Sequence, residues 1–317
     1  MNRLSTSNGR NLLIRMVSAL VLAGIGIPCM LFGGYSYFVL GLVIAFFGVY
    51  EFTACSSTNR YNFLIYLIIY AATFCMILWP FFFDDGMRFS FALRLPSLSA
   101  SPLILLVYFF LLFGGALVST RMTVHDATYL LVMGAYMAAT IHSMYFLRFV
   151  PSTLDAELYK TIPSCLLVAY IVVGTVFNDI GAYLVGVAFG KHKMIPRISP
   201  HKTWEGFAGG VVISFLFSFF TAFIFEKCCS LPLLEGYLEF ANGHFYRIVI
   251  LSLVLPLTGD FGDLFFSCIK RNWGIKDFGK IIPGHGGVLD RVDSLSFNFI
   301  VSAVLVMIFL YGWRYVL

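Results

Sequence analysis

The sequence predicts an all-α polytopic membrane protein of about nine transmembrane helices, with the N-terminus cytoplasmic and the C-terminus on the opposite side. Three observations carry this reading. Of the 317 residues, 60% are hydrophobic and only 12% are charged, about half the charge of an ordinary soluble domain. Apolar runs of roughly 20 residues, long enough to cross a bilayer as helices, recur along the whole chain. Lys and Arg gather in alternate loops, as the positive-inside rule requires. Segments of about ten residues with alternating polarity, the mark of a membrane β-barrel, are not seen.

The spans are placed at 13–33, 35–54, 61–83, 102–119, 127–150, 163–188, 206–225, 246–268 and 295–315. The first follows a basic flank like that of a signal peptide, but no small-residue cleavage site comes after it, so a retained span is expected. The connections are short and leave no room for an appended soluble domain. Two regions are expected: 1–160, with about five spans, and a catalytic region, 161–317, with cytoplasmic loops 189–205 and 269–294. With the N-terminus inside, fourteen Lys and Arg lie on the cytoplasmic side, among them Arg3, Arg10, Arg15 and Arg60, and seven on the other, among them Arg88, Arg94, Arg148 and Arg314. The net charge of +5 follows from that bias and gives no reason to expect nucleic acid. Seven cysteines without CxxC or ligand spacing read as buried, inert thiols.

Four polar stretches interrupt the apolar pattern. In "FNDIGAY", Phe177–Tyr183, Asn178 and Asp179 stand well inside the sixth span. A carboxylate there costs on the order of 2.5–3.5 kcal/mol and usually faces a cavity or a partner; gluing two helices together is the other use. In "GKHKMIPRISPHKTWEGFAGG", residues 190–210, basic residues gather before Ser199, Lys202 and Thr203. This reads either as a loop touching anionic headgroups or as a seat for a phosphate-bearing substrate. Thr203 is placed to cap the next helix, with Glu205 in its first turn. No P-loop is present, since Gly186–Lys191 is one residue short and His192 stands where Ser or Thr is needed.

The third stretch, "TGDFGDLFFSCIKR", puts Asp260, Asp263, Ser267 and Lys270 on one helical stripe, with Arg271 next to it. Two acids in an apolar helix point to an ion path or a bound divalent cation. The fourth is "GHGGVLDRVDS", residues 284–294. Asp290 and Asp293 lie three residues apart at the mouth of the ninth span, where one acid would suffice for the helix dipole. The glycines of His285-Gly286-Gly287 allow backbone amides to approach phosphate. Acids, glycines and nearby basic residues together read as a metal–phosphate site. Spans two to four offer only Glu51 as an acid.

"SCIKRNWGIKDFGKIIPGHGGVLDRVD", Ser267–Asp293, resembles the signature of the phosphatidate cytidylyltransferases, also called CDP-diacylglycerol synthases. Ser267, Lys270-Arg271, Lys276-Asp277, His285-Gly286-Gly287, Asp290-Arg291 and Asp293 match every fixed position at the family spacing. "NDIGAY", "FGKHK" and "SPHKTWEG" resemble family motifs in the same order. One departure is Phe266, where bacterial members often carry Glu.

The resemblance implies that CTP and phosphatidate give CDP-diacylglycerol and pyrophosphate. It implies Mg2+ as cofactor, with a monovalent cation such as K+ alongside, held by Asp263, Asp290 and Asp293 or Asp179, with Asp260 as a further candidate. Catalytic roles fall to Asp263, Asp290, Asp293, Lys270 and Arg271. Substrate contacts fall to Asn178, Asp179, Ser199, Lys202, Ser267, Lys276, His285, Gly286, Gly287 and Arg291. It also implies a homodimer. Lacking long polar tails, the chain reads as a bacterial inner-membrane member, and the Lys and Arg bias puts the active site on the cytoplasmic side. An ion transporter is the main rival, but it would spread polar residues along a route across the membrane. A CDP-alcohol phosphotransferase would carry a D-G-x2-A-R pattern that the chain lacks. An inactive homologue has only Phe266 in its favour.

Overall fold

The computed structural model describes residues 2–56, 61–83, 101–155, 157–158, 160, 163–241 and 243–312, with side chains from residue 13 onward except 79–83 and 101–102. Arg60, Arg88, Arg94 and Arg314, used above in assigning orientation, lie outside the described residues, as do the side chains of Arg3 and Arg10.

Among the described residues there are nine α-helices: α1 (Asn2–Phe32), α2 (Gly34–Ser56), α3 (Phe63–Phe83), α4 (Ser101–Val118), α5 (Val124–Leu154), α6 (Leu166–Phe189), α7 (Trp204–Cys229), α8 (Phe245–Asn272) and α9 (Leu289–Tyr311). Seven of them are long and apolar enough to span a membrane, and Phe63–Leu78 and Leu103–Val118 are shorter apolar stretches. The protein is an all-α polytopic membrane protein. Loop 189–205 contains a small antiparallel hairpin of β1 (Lys193–Ile195) and β2 (Ser199–Thr203), paired Lys193 to Thr203 and Ile195 to Ser199. The ninth helix begins at Leu289, not 295, so Asp290 and Asp293 are helical residues. The thiols are not generally buried: Cys75, Cys228, Cys229 and Cys268 are exposed. In a bilayer the surroundings are as apolar as the interior, so a thiol gains little from being inside.

The chain divides into two compact units. The first is Met1–Cys29, Gly34–His142 and Asp277–Arg291; the second is Met30–Gly33, Ser143–Lys276 and Val292–Leu317.

In the second unit, α6 and α7 pack face to face because small residues line their contact. A methyl group on Gly209 would lie 2.4 Å from the side chain of Val185, and one on Gly181 would lie 2.8 Å from Ile213. Close approach lets Ser214 donate to the Gly174 carbonyl at 2.7 Å and brings the Phe177 and Phe217 rings into stacking at 3.8 Å. Such small-residue contacts take the place of hydrophobic driving force between helices in lipid. Polar side chains tie in the other helices. Asn298 of α9 donates to Thr175 of α6 at 2.7 Å and accepts from Thr258 of α8. Tyr170 and Ser252 share a hydrogen bond of 2.6 Å. Arg148, buried in α5, donates to the Met30 carbonyl at 2.9 Å and the Leu31 carbonyl at 3.2 Å, at the C-terminal end of α1.

The stop of α8 is written locally. Ile275 N–H donates to Lys270 O at 2.9 Å and Gly274 N–H to Arg271 O at 3.1 Å, around Gly274 with φ of +68°. This is a Schellman end, and only glycine takes that φ without strain.

Gly209→Ala is expected to destabilise the protein by about 1–3 kcal/mol through overpacking against Val185, read as a lower unfolding midpoint in detergent. Gly114→Ala, inside α4 with nothing within 4 Å of the added methyl, is expected not to lower the midpoint and to raise it slightly.

Candidate active site

The hairpin exists to aim Lys202. Thr203 caps α7 as its sequence position predicts, its hydroxyl accepting from Gly206 N–H at 3.1 Å. Glu205, in the first turn, accepts from Lys191 N–H at 3.1 Å, from His192 N–H at 3.2 Å and from the His192 ring at 2.6 Å. Trp204 N–H closes on the His192 carbonyl at 3.0 Å. Gly206 has no room for a side chain, because a methyl there would meet Ala182 O at 2.8 Å. With both ends of the loop tied, Lys202 reaches inward. Its ammonium lies 2.6 Å from Asp260 Oδ1 and 2.9 Å from Asp263 Oδ2.

Asp260 is buried and accepts a second hydrogen bond, 3.1 Å, from Asn178 Nδ2. Asn178 is itself buried in α6, and its Oδ1 has no hydrogen-bond partner among the described residues. Asp263 lies one turn on and receives Ser267 Oγ at 3.5 Å. The stripe read from the sequence is therefore real: Asp260, Ser267 and Lys270 are buried, and Asp263 is half-buried. Asp293 of α9 lies within electrostatic reach of Asp263, Asp179 and Lys270. Its backbone carbonyl crosses α8 where a methyl on Gly262 would come within 2.9 Å. Burial works against the Lys202 ammonium, but the charges of Asp263 and Asp260 outweigh it, and Lys202 titrates above its ordinary value of 10.5.

Phe266, in place of the acid seen in bacterial members, is completely buried and offers no oxygen donor. Asp260 receives both an ammonium and an amide. Arg271 is held by the carbonyls of Ile198, 3.2 Å, and Ile275, 3.1 Å. Asp179 and Lys276 are exposed, and Ser199 is half-buried in β2.

In the first unit, residues 277–291 form a loop running into the first residues of α9. Pro283 and Gly284 occupy the middle of a type II turn, Gly284 at φ +75°, with His285 N–H donating to Ile282 O at 3.0 Å. Asp290 Oδ2 accepts from Phe278 N–H at 2.9 Å and Gly287 N–H at 3.0 Å, joining the two sides of the loop. Glu51, which the sequence only marks as an isolated acid, is fully buried and accepts from Val288 N–H and Leu289 N–H, both at 2.8 Å. Gly286 N–H donates to Ile282 O at 3.1 Å. The amides of His285 and Gly286 thus donate to Ile282 O, and that of Gly287 to Asp290 Oδ2. Two glycines of the loop lie against Glu51: methyl groups on Gly279 or Gly287 would fall 2.5 Å from its carboxylate.

His285 Nδ1 lies 2.7 Å from Ser18 Oγ, which is 3.0 Å from the Pro283 carbonyl. Partial burial and the charges of Arg291 and Arg15 hold His285 below its ordinary value. Beside it, Leu13, Ile14, Val17, Val21 and Leu22 of α1 and Ile281–Pro283 line an apolar cleft of about 480 Å³. Arg291 is exposed.

Among the described residues, no three of His, Cys, Asp and Glu converge closely enough to hold a metal ion by themselves. Mg2+ does not require such a cage, because it usually takes one or two carboxylates and completes its shell with water and substrate phosphates. Asp263 and Asp293 are hard oxygen donors of that kind, so the donor set fits Mg2+.

Lys202→Met would leave Asp260 as a buried, uncompensated charge, and a loss of about 3 kcal/mol of stability is expected. Since the folded-state value of Lys202 is raised, its contribution is complete below pH 10.5 and fades only as pH rises through the raised value. The wild type should therefore lose none of this contribution across the neutral range, and the variant's lower midpoint is read in thermal unfolding at pH 7. An unchanged midpoint would mean that Asp260 has another counter-charge.

Residues 13–309 match the family model described as the cytidylyltransferase family. Curated relatives agree. A phosphatidate cytidylyltransferase of Staphylococcus saprophyticus is 33% identical over 285 residues, covering 90% of this chain and 95% of the relative. Proteins of the same name from Staphylococcus haemolyticus, at 30%, and Staphylococcus aureus strain COL, at 31%, are covered to the same extent. The matched region takes in both units, the Lys202–Asp260–Asp263 cluster and the Asp290 loop, and the chain belongs to the cytidylyltransferase family.

Proposed function

We propose that the protein transfers the cytidylyl group of CTP to phosphatidate, forming CDP-diacylglycerol and releasing pyrophosphate. The observation that carries this is end-to-end similarity to phosphatidate cytidylyltransferases, joined to a cluster of acids and bases suited to phosphates. The nucleophile is a lipid phosphate oxygen that is already ionised, so no general base is needed. The obstacle is repulsion between that anion and the α-phosphorus of CTP. Positioning and neutralisation therefore carry the rate.

The residues divide that task. Lys270, buried in the last turn of α8, and Arg271, fixed by two carbonyls, offer fixed positive charge to phosphate oxygens. Exposed Lys276 and Arg291 supply charge at the surface. Asp263 and Asp293, with Asp179, are the residues proposed to hold Mg2+, and the family resemblance assigns Asp290 to the metal as well. Bound there, Mg2+ would neutralise phosphate oxygens and stabilise the leaving pyrophosphate. A monovalent cation such as K+ is proposed from family resemblance alone. The apolar cleft beside Ser18 and His285 suits an acyl chain, with the His285 imidazole at its polar end to meet a headgroup.

Nine spans are proposed, with the N-terminus cytoplasmic and the C-terminus outside, on the distribution of Lys and Arg. Catalysis is assigned to the cytoplasmic side of region 161–317 and the loop preceding α9, in a bacterial inner membrane. A homodimer is proposed from the family resemblance.

Membranes containing the protein are expected to convert labelled CTP and phosphatidate to a labelled lipid in the presence of Mg2+. Asp290→Asn should abolish that product while the protein remains folded, and near-normal turnover by this variant would refute its assignment to the reaction. Chelation of divalent cations with EDTA should stop turnover, and excess Mg2+ should restore it. Turnover unaffected by the chelator would remove the metal from the mechanism.

A further inference from the structure

We propose that Glu51 is a positioning residue for the transfer reaction: from α2 it caps the start of α9 and fixes the loop on which Asp290 is held. This rests on the reading of the protein as a cytidylyltransferase. The first amides of any helix lack intrahelical acceptors. A Ser, Thr, Asp or Asn just before the helix usually supplies one, but Val288 occupies that place and has no acceptor in its side chain. Glu51 supplies both, one oxygen to Val288 N–H and the other to Leu289 N–H, each at 2.8 Å.

A local cap would have started the helix without burying a carboxylate in a membrane span, where an acid is expensive. What a local cap would not do is tie the loop to another helix. The Glu51 carboxylate also fills the space left by two glycines, Gly279 near the start of the loop and Gly287 near its end, with methyl positions at 2.5 Å from it. Asp290 spans the same two sides of the loop through Phe278 N–H and Gly287 N–H. Gly287 thus donates to Asp290 and packs on Glu51, so a shift of Glu51 moves the group that orients Asp290. The negative charge at a helix N-terminus is favourable, which offsets part of its burial.

The experiment is a set of variants assayed per folded molecule, with folded protein quantified by gel filtration and thermal unfolding. Glu51→Gln keeps the size but turns one acceptor into a donor facing an N–H. It is expected to lower kcat by about 10- to 100-fold, the scale of a small displacement in an active site, with KM for CTP and for phosphatidate little changed. Gly279→Ala, outside the reacting groups, should reproduce the loss by pushing the carboxylate away. In the cycle with Glu51→Ala, the double variant should lose no more than Glu51→Ala alone, because the added methyl then has nothing to displace. Wild-type kcat per folded molecule in Glu51→Gln, or losses that simply multiply in the double variant, would overturn the proposal. If Glu51→Ala does not fold, Glu51→Gln and Gly279→Ala decide by the same kcat criterion. Absence of lipid product from the wild type would instead refute the cytidylyltransferase reading.

Discussion

An ammonium between two carboxylates one helical turn apart is the interaction on which the second unit depends. Asp260 and Asp263 belong to α8, a helix whose other residues are largely apolar, and Asp260 is buried. Without Lys202 the pair would bring uncompensated charge into a membrane-spanning helix. The surrounding motif follows from the need to deliver that lysine. The hairpin supplies reach, Thr203 and Glu205 fix its exit into α7, and Gly206 lets α7 begin close against α6. Asn178 completes the site from α6 by donating to the second oxygen of Asp260.

The first unit solves a related problem in another way. There a buried carboxylate is satisfied by backbone amides in place of a cation. Glu51 and Asp290 between them accept from four amide groups of one loop and its helix start. The loop is thereby held without regular secondary structure, and its glycines are explained by what lies against them. Rigid support of this kind suits a reaction whose barrier is charge repulsion, since preset charges act without reorganising as the reaction proceeds.

Much of this was readable in the sequence, and the limits have physical causes. Helices with 3.6-residue periodicity and strong hydropathy were placed, and the Thr203 cap and the α8 stripe were legible because they depend on residues a few positions apart. The partner of the stripe was not, because Lys202 lies 58 residues away from Asp260 in the chain and any of several basic residues would have served. The short hairpin was missed since Lys193–Ile195 and Ser199–Thr203 have neither the length nor the alternation of an independent strand pair. A glycine such as Gly287 announces only that something is near, not that it is the Glu51 carboxylate of a distant helix. Glu51 was visible as an odd acid, but its target 237 residues further on was not.

The central claim is that the α-phosphorus of CTP passes to the lipid with loss of pyrophosphate, and position-specific labelling tests it most directly. Purified protein in phosphatidate-containing micelles with Mg2+ would be given CTP labelled at the α- or the γ-phosphorus in parallel. The α label is predicted to enter the lipid fraction, and the γ label to appear only in pyrophosphate. Lipid carrying the γ label, as a kinase would produce, or no transfer of α label to lipid, would contradict it.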